Sequence, residues 1–154
     1  MNSALMFSKA SDEWSTPQAF FDALDAEFHF TMDAAASREN CKVPNYRGPD
    51  HILPDCRNGL VFDWNGVVWL NPPYSRVKQF MMKASEQALK GCTVVCLVPS
   101  RTDTRWWHEC VWDELRNRAR HGVEVRFVRG RLKFGDGKNS APFPSVVIVF
   151  RSPR

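Results

Sequence analysis

The four residues Asn71-Pro72-Pro73-Tyr74 are the part of the sequence whose types and order could carry chemistry. They follow directly after the apolar run Val67–Leu70. Two consecutive prolines cannot donate hydrogen bonds to a sheet and they fix φ, so a strand must end there in a stiff loop. That loop presents one amide side chain, the carbonyl of Pro72 and one aromatic face. A simple proline turn is the alternative, but the position after a buried strand favours a functional site.

Other short motifs surround this one in a defined order. They are Trp14-Ser-Thr-Pro17, Phe30-Thr-Met-Asp33-Ala-Ala, Asn58-Gly-Leu60, Leu97-Val-Pro-Ser-Arg-Thr-Asp103, Gly130-Arg-Leu-Lys-Phe134 and Ala141-Pro-Phe-Pro-Ser145. With the Asn71 motif, they resemble the S-adenosylmethionine-dependent amino-methyltransferases. More closely, the chain resembles the small phage-encoded adenine-N6 DNA methyltransferases, the phage Dam group. The resemblance spans roughly residues 14–150 and agrees in order as well as in content.

The resemblance implies that Asn71, Pro72, Pro73 and Tyr74 are catalytic. The exocyclic amine of adenine is a poor nucleophile because its lone pair is delocalised into the ring. The side-chain oxygen of Asn71 and the carbonyl of Pro72 would accept its two hydrogens and localise that lone pair, while Tyr74 would stack on the base. A sulfonium methyl group is already activated, so alignment and charge placement would supply most of the catalysis. In duplex DNA the base must first be flipped out.

The resemblance also implies a site for S-adenosylmethionine. The glycine-rich turn expected after the first strand is replaced by Asp33-Ala-Ala-Ala-Ser37, whose small residues still allow close approach. Asp33 would lie near the methionine or ribose end, although a helix cap is the alternative. Thr16-Pro17 could equally start a helix, and Trp64 could belong to the core. The expected cofactor residues are Trp14, Thr16, Pro17, Asp33, Ala34, Ala35, Asp63 and Trp64.

Two basic loops are the predicted contacts with double-stranded DNA. The contacts are Arg101, Thr102, Arg105, Arg129, Arg131, Lys133 and Phe134. The first three follow a predicted strand end, where the alternative is the capped start of a helix. The others lie in a glycine-punctuated turn that also contains Lys138. Cations interleaved with an aromatic ring suit a contact with the DNA backbone and a stacking wedge.

The distribution of charge supports a nucleic-acid partner. The net charge is +4, but residues 1–75 hold 5 Lys/Arg and 10 Asp/Glu, whereas residues 76–154 hold 16 and 7. The halves therefore carry net charges of −5 and +9. A segregated basic half is typical of a nucleic-acid binder, although a solvated basic face would look the same. It argues against a protein substrate, because Lys/Arg clusters gain affinity for nucleic acid through counterion release.

Composition excludes several other classes of protein. With 154 residues, 44% of them hydrophobic and 25% charged, the chain is expected to form one globular domain. Apolar runs such as Val94–Val98 are too short to span a bilayer, so no membrane partner is expected. Five cysteines without a C-x-x-C pair argue against a disulfide framework and a metal site. The N-terminus has no secretory signal, so we expect a cytoplasmic protein, in the host cell if a phage encodes it.

Periodicity predicts the elements that must position these residues. A helix is expected after Ser15-Thr16-Pro17, capped by a hydroxyl with proline at its first position. Further helices are expected over Arg76–Lys90 and Thr104–Arg120, closed by Gly91 and Gly122. Short apolar runs predict strands over Phe28–Asp33, Val67–Leu70, Thr93–Val98, Val123–Val128 and Ser145–Phe150.

This element order predicts an α/β fold, a Rossmann-like methyltransferase. We expect a mostly parallel twisted sheet with a C-terminal antiparallel hairpin and helices on both faces. Ligands bind beyond the carboxyl ends of such strands, where Asp33, Asn71 and Pro99 stand. The whole chain, 1–154, is predicted to be one methyltransferase domain, with residues 1–13 flexible and residues 37–58 forming a long loop.

The sequence therefore predicts transfer of a methyl group to the N6 amine of adenine in DNA. A short site such as GATC is implied by the resemblance alone. The alternatives are the same chemistry on RNA or on a protein glutamine amide, and a DNA-binding module without activity. Oligomeric state cannot be read from the sequence.

Overall fold

Five strands form one mixed sheet in the computed structural model, which describes residues 15–134 and 140–152. The helices are α1 (Gln18–Phe28) and α2 (Val77–Leu89). The strands are β1 (Met32–Asp33), β2 (Val67–Leu70), β3 (Thr93–Pro99), β4 (Trp112–Asp113), β5 (Arg118–Ala119), β6 (Val123–Phe127) and β7 (Ser145–Phe150). The large sheet has the order β1-β2-β3-β7-β6, and β4 pairs with β5 in a separate hairpin. The predicted flexibility of residues 1–13 concerns a segment outside the described residues.

Strand β7 runs opposite to the other four strands of the large sheet. Parallel pairing joins β1, β2 and β3. Antiparallel pairing then joins β3 to β7, from Val94↔Phe150 to Pro99↔Ser145, and β7 to β6. The interior strands β3 and β7 are almost unbroken apolar runs, because both of their faces are covered. The predicted α/β class and the C-terminal antiparallel hairpin are confirmed.

A helix covers each face of the sheet, as predicted. Successive side chains of a strand point to opposite faces. Trp69 of β2 packs in one cluster with Phe21 and Leu24 of α1. Leu70, the next residue, packs in the other cluster with Phe80 and other residues of α2. An ion pair of Arg126 with Glu27, with two N···O distances of 2.7 Å, also joins β6 to α1.

The predicted helix over Thr104–Arg120 is wrong. The chain makes one π-helical turn at Trp107–Val111 and then turns back through the β4–β5 hairpin. The apolar residues of this region that pack on the core end at Trp112, and residues 114–118 are all exposed. No buried face therefore continues to residue 120. Asn117 takes a positive φ of 51° in the turn, and the N–H of Arg120 donates to the carbonyl of Val111.

The long loop predicted over residues 37–58 is largely irregular, with one short 3₁₀ turn at Pro54–Cys56. Part of it runs beside β1. The N–H of Asp33 donates to the carbonyl of Asn45, and the N–H of Arg47 donates to that of Asp33, both at 2.9 Å. The loop thus covers the outer edge of β1 and stands beside the carboxyl end of the sheet. Within residues 15–134 and 140–152, neither helix is long and apolar enough to cross a membrane.

Gln87 ties α2 to the segment that enters β2. Its side chain is fully buried. Its Oε1 accepts from the backbone N–H of Trp64 at 2.6 Å, and its Nε2 donates to Asp63 at 2.9 Å. Both groups of the amide are therefore used, as a buried amide requires.

We expect Gln87→Met to lower the free energy of unfolding by about 1–3 kcal/mol, because the buried N–H of Trp64 loses its acceptor. Urea denaturation measures the change. The control is Glu86→Gln, which alters an exposed residue one position away and should cost less than about 0.5 kcal/mol. An unchanged midpoint in Gln87→Met would contradict the role assigned to this amide.

Candidate active site

A cleft of about 330 Å³ opens at the carboxyl ends of β1 and β2. This volume lies within the range of about 300–1,000 Å³ that small-molecule sites occupy. Its lining brings together most of the residues that the sequence predicted for catalysis and for the cofactor: Thr16, Asp33, Ala34, Ala35, Asn71, Pro72 and Pro73. Pro17 adjoins Thr16 at the start of α1, and Trp14 lies outside the described residues. The edge of the sheet at which the sequence predicts ligand binding is therefore concave.

A hydrogen bond from Asn71 to Thr16 joins the loop after β2 to the segment before α1. The Nδ2 of Asn71 donates to the Oγ1 of Thr16 at 3.0 Å. Thr16 is buried, and no side chain caps α1, whose N-cap residue is Pro17. The predicted hydroxyl cap is therefore wrong, because this hydroxyl is turned to Asn71 instead. Since the NH₂ end of the amide faces Thr16, the amide oxygen lies at the opposite end of the planar group.

Asp33 is a buried carboxylate in the cleft wall, 2% exposed. Burial raises its pKa from 3.8 to about 7, although the backbone N–H groups of Lys42 and Ala35 donate to it at 2.9 and 3.4 Å and favour the charged form. These two bonds also fix the chain that follows β1. Asp33 therefore lines the cleft and also fixes the backbone of neighbouring residues that line it.

Two glycines bring the long loop against the backbone that follows β1. A Cβ added at Gly48 would lie 1.6 Å from the carbonyl oxygen of Ala36, and one at Gly59 would lie 2.1 Å from that of Ala34. Only glycine permits so close an approach. Both residues line the cleft, and sequence reasoning missed both as site residues. Their signals were a glycine within the long polar loop and the glycine of the motif Asn58-Gly-Leu60, in a chain whose first strand lacks a glycine-rich turn.

Basic side chains dominate the charge of the cleft. Asp33 is the only acidic residue among the described residues that line it. The basic residues there are Lys42, Arg47, Arg57 and Arg76, none of which the sequence analysis assigned to the site. The first three come from the long loop. A cleft with several cations and one carboxylate suits a ligand that carries an anionic group together with a cationic or hydroxyl group.

The structure does not bring Asp63 and Trp64 to this cleft. They precede β2, at the opposite end of that strand from Asn71. Trp64 is buried in the core, and its ring N–H donates to the carbonyl of Gly59 at 2.7 Å. Asp63 is exposed and pairs with Gln87 and Lys90. Their contacts hold α2 to the segment that enters β2, and their contact with the cofactor stays a prediction.

A second, much smaller pocket of about 10 Å³ lies on the other side of Asn71 and Pro72. These two residues line both cavities. Tyr74 also lines the small pocket, with its ring 5.6 Å from that of Phe143. The guanidinium of Arg101 lies over the ring of Tyr74, 5.2 Å from its centre. The predicted catalytic residues therefore form the partition between the two cavities.

The predicted DNA contacts are divided between exposed and buried positions. Arg101, Thr102, Arg105, Arg129, Arg131 and Lys133 are exposed. Arg105 pairs with Glu109, one helical turn later. Phe134 is buried against Phe143 and lines the small pocket, so it does not present a wedge to solvent here. Lys138 lies outside the described residues. No cluster of His, Cys, Asp and Glu able to hold a metal occurs among residues 15–134 and 140–152.

Comparison with known proteins shows that the chain is similar to DNA methyltransferases of phages. The family model described as DNA N-6-adenine-methyltransferase (Dam) matches residues 4–152. The DNA N-6-adenine-methyltransferase of Haemophilus phage HP1 (strain HP1c1) is 36% identical over 155 residues, covering 93% of this chain and 82% of the relative. That of Escherichia phage T1 is 31% identical over 159 residues, covering 91% of this chain and 63% of the relative.

The raised pKa of Asp33 predicts a pH-dependent stability. Between its unfolded pKa of 3.8 and about 7, the folded protein holds a proton that the unfolded chain has lost. The contribution of this group to stability therefore falls as the pH rises through that window.

We expect Asp33→Asn, which cannot ionise, to gain about 2 kcal/mol of unfolding free energy relative to the wild type between pH 5 and pH 8. Any change in stability that the introduced amide itself causes is independent of pH, so it cancels when the two pH values are compared. Urea denaturation at several pH values measures the difference. The control is Asp55→Asn, which alters an exposed aspartate on the long loop. A wild-type-to-variant difference that does not vary with pH would rule out the raised pKa.

Proposed function

The chain belongs to the DNA N-6-adenine-methyltransferase (Dam) family, and from this we propose that it transfers a methyl group from S-adenosylmethionine to the N6 amine of adenine in DNA. The observation that carries the proposal is the Asn71 amide, held by Thr16 beside the carbonyl of Pro72 on the partition between two cavities. One cavity would take the methyl donor and the other the base. We assign the fold as a Rossmann-like methyltransferase, supported by the parallel strands β1–β3 and the cleft at their carboxyl ends.

The residues of the larger cleft fit S-adenosylmethionine. Its volume is adequate, and the absent Cβ atoms of Gly48 and Gly59 let the loop backbone close against residues 34–36. The carboxylate of Asp33 would accept from the amino group or the ribose hydroxyls of the donor. Lys42 and Arg47 would attract its carboxylate. When bound, S-adenosylmethionine supplies an electrophilic methyl group on its sulfonium.

The partition formed by Asn71 and Pro72 would activate the N6 amine of adenine as a nucleophile. The side-chain oxygen of Asn71 and the carbonyl oxygen of Pro72 are two acceptors for the two N6 hydrogens, and accepting both localises the nitrogen lone pair. The bond to Thr16 keeps the Asn71 amide from rotating. Because the acceptors are held before the reaction begins, they need no reorganisation as charge develops. The two prolines serve the same purpose by fixing the backbone.

The base would stack on Tyr74. In the free protein one face of this ring contacts the Arg101 guanidinium. Such a contact at an exposed side chain is worth only about 0.5–1 kcal/mol, so a flipped base can replace it. The pocket of about 10 Å³ must open for the base, with Phe134 and Phe143 as the side chains that line it. Base flipping is thus coupled to local rearrangement around Tyr74.

DNA would be held mainly through its backbone. Arg129, Arg131 and Lys133 are exposed on the segment that leads to Phe134, so cations stand close to the pocket for the base. Contacts of this kind position the duplex without reading its sequence. A short target such as GATC is proposed from the resemblance to the Dam group alone.

Removal of the amide should abolish most of the activity. We expect Asn71→Ala to lower kcat by about 100- to 1,000-fold, the usual loss when a preorganised hydrogen-bonding group is removed. Thr16→Val, which removes the hydroxyl that accepts from this amide, should lower it by a smaller factor. The assay is transfer of labelled methyl groups to DNA, followed by nucleoside analysis for N6-methyladenine. Asn65→Ala is the control, since Asn65 is exposed before β2. Near-normal turnover in Asn71→Ala would refute the assignment.

The exposed cations should govern the dependence of binding on salt. If Arg131 and Lys133 each neutralise one phosphate, changing both to Ala should flatten the slope of log affinity against log salt by about 1.8 units. Binding should weaken by a similar factor for all sequences. The control is Lys83→Ala with Lys90→Ala, which removes the same charge from α2 and its C-terminal end. An unchanged slope in the first pair would place the DNA elsewhere.

A further inference from the structure

Ser145, the first residue of β7, has a buried hydroxyl that makes no hydrogen bond to any of the described residues. The residue is 2% exposed. Its Oγ is one of two buried side-chain polar atoms without a partner in the part of the chain that the structure describes. Burying a hydroxyl without a partner destabilises a fold, so an unsatisfied group of this kind needs an explanation. Ser145 ends the motif Ala141-Pro-Phe-Pro-Ser145, and the sequence alone predicts no role for it.

The surroundings explain why the hydroxyl is unpaired. Ser145 is paired across the sheet with Pro99, whose side chain has no polar atom. Both residues line the small pocket, together with Leu97 and the rings of Phe134 and Phe143. The hydroxyl is therefore surrounded mainly by apolar groups, in the cavity that Asn71 and Pro72 separate from the larger cleft.

The pleat of the sheet places Ser145 on the same side as the rest of the pocket. Leu97 of β3 and Val147 of β7 both pack in the cluster that contains α1. Because side chains alternate along a strand, Pro99 and Ser145 face this same side. Asn71 lies just past the end of β2, two strands away from β7. The distance across two strand spacings is about 10 Å, which leaves room for a planar base between the two side chains once the aromatic rings move.

We propose that Ser145 is a specificity-determining residue that donates a hydrogen bond to a ring nitrogen of the target adenine, N1 or N7. The inference rests on the proposed function, in which Asn71 and Pro72 accept the N6 hydrogens. N1 is bonded to the carbon that bears N6, and N7 is bonded to the next ring carbon on the other side. Both are acceptors, so a hydroxyl donor in the same pocket complements either of them. The base thereby supplies the partner that Ser145 lacks in the free protein.

A binding role and a purely structural role predict opposite effects on stability. Ser145→Ala removes an unpaired buried hydroxyl and keeps the rest of the side chain, so thermal stability should stay the same or rise. At the same time kcat/KM for adenine in DNA should fall about 10-fold, the size of one lost hydrogen bond that leaves its partner unpaired. Ser85→Ala on α2 is the control, and it should leave kcat/KM unchanged.

Substitution of single atoms in the base gives the decisive measurement. The wild type first methylates genomic DNA, and a short duplex is made from the sequence at which it acts. The target adenine is then replaced by 1-deazaadenine or by 7-deazaadenine, each of which has a C–H in place of one acceptor. The wild-type-to-Ser145→Ala ratio of kcat/KM is measured for each duplex, so that any intrinsic effect of the analogue on reactivity cancels.

We expect a ratio of about 10 on adenine that falls to about 1 on one of the two analogues. A ratio near 1 on adenine, or a ratio that both analogues leave unchanged, would overturn the role of Ser145. Loss of thermal stability in Ser145→Ala with no change in kcat/KM would do the same. Wild-type protein that transfers no methyl group to adenine in any DNA would instead overturn the proposed function, and this inference with it.

Discussion

Prolines end two of the parallel strands at the same edge of the sheet. Strand β2 stops at Leu70 because Pro72 and Pro73 cannot continue a ladder, and β3 stops at Pro99. The chain must leave the sheet at both points, and the two departures leave a space between the loops. Asn71 and Pro72 divide that space into two cavities, because both residues line both of them. In the proposed function, the stiffness of this partition would hold the two bound groups against each other.

The larger cleft is built from close approaches between backbone segments. Gly48 and Gly59 admit the long loop to the chain after β1, and Asp33 binds that chain through its own carboxylate. A buried carboxylate with a raised pKa is costly to keep, and the cost is tolerated where a ligand with complementary groups can offset it. The candidate site thus contains several features that do not favour stability by themselves: a buried acid, an unpaired hydroxyl and loops closed by glycine.

Local patterns predicted those elements whose stabilising contacts are also local. Strands β2 and β7 have the predicted bounds, and α2 differs from its prediction by a residue at each end. The region 104–120 was misassigned because none of its residues beyond Trp112 packs on the core, so residues 113–120 have no buried face to stabilise a helix. The start of α1 was misread because the hydroxyl of Thr16 is used by a residue far along the chain.

The candidate site was predictable where one motif contains it, as at residues 71–74. It was not predictable where distant segments meet. The roles of Gly48 and Gly59 depend on the carbonyls of Ala36 and Ala34, and that of Ser145 depends on its neighbours across the sheet. Asp63 and Trp64 were expected at the cofactor from the family resemblance, whereas in the structure they precede β2 and bond to Gln87 of α2.

The two outer strands of the sheet also bear on how the protein behaves at high concentration. A strand with an open edge is a template on which another chain can add, and fibrils and other aggregates begin in that way. Here residues 45–47 run along the outer side of β1. At the opposite edge, β6 carries Glu124 and Arg126, which form ion pairs with other residues of the chain. An apolar strand of another chain could pack there only if these ion pairs were broken. The fold thereby discourages strand addition at both edges while it leaves the cleft side open to ligands.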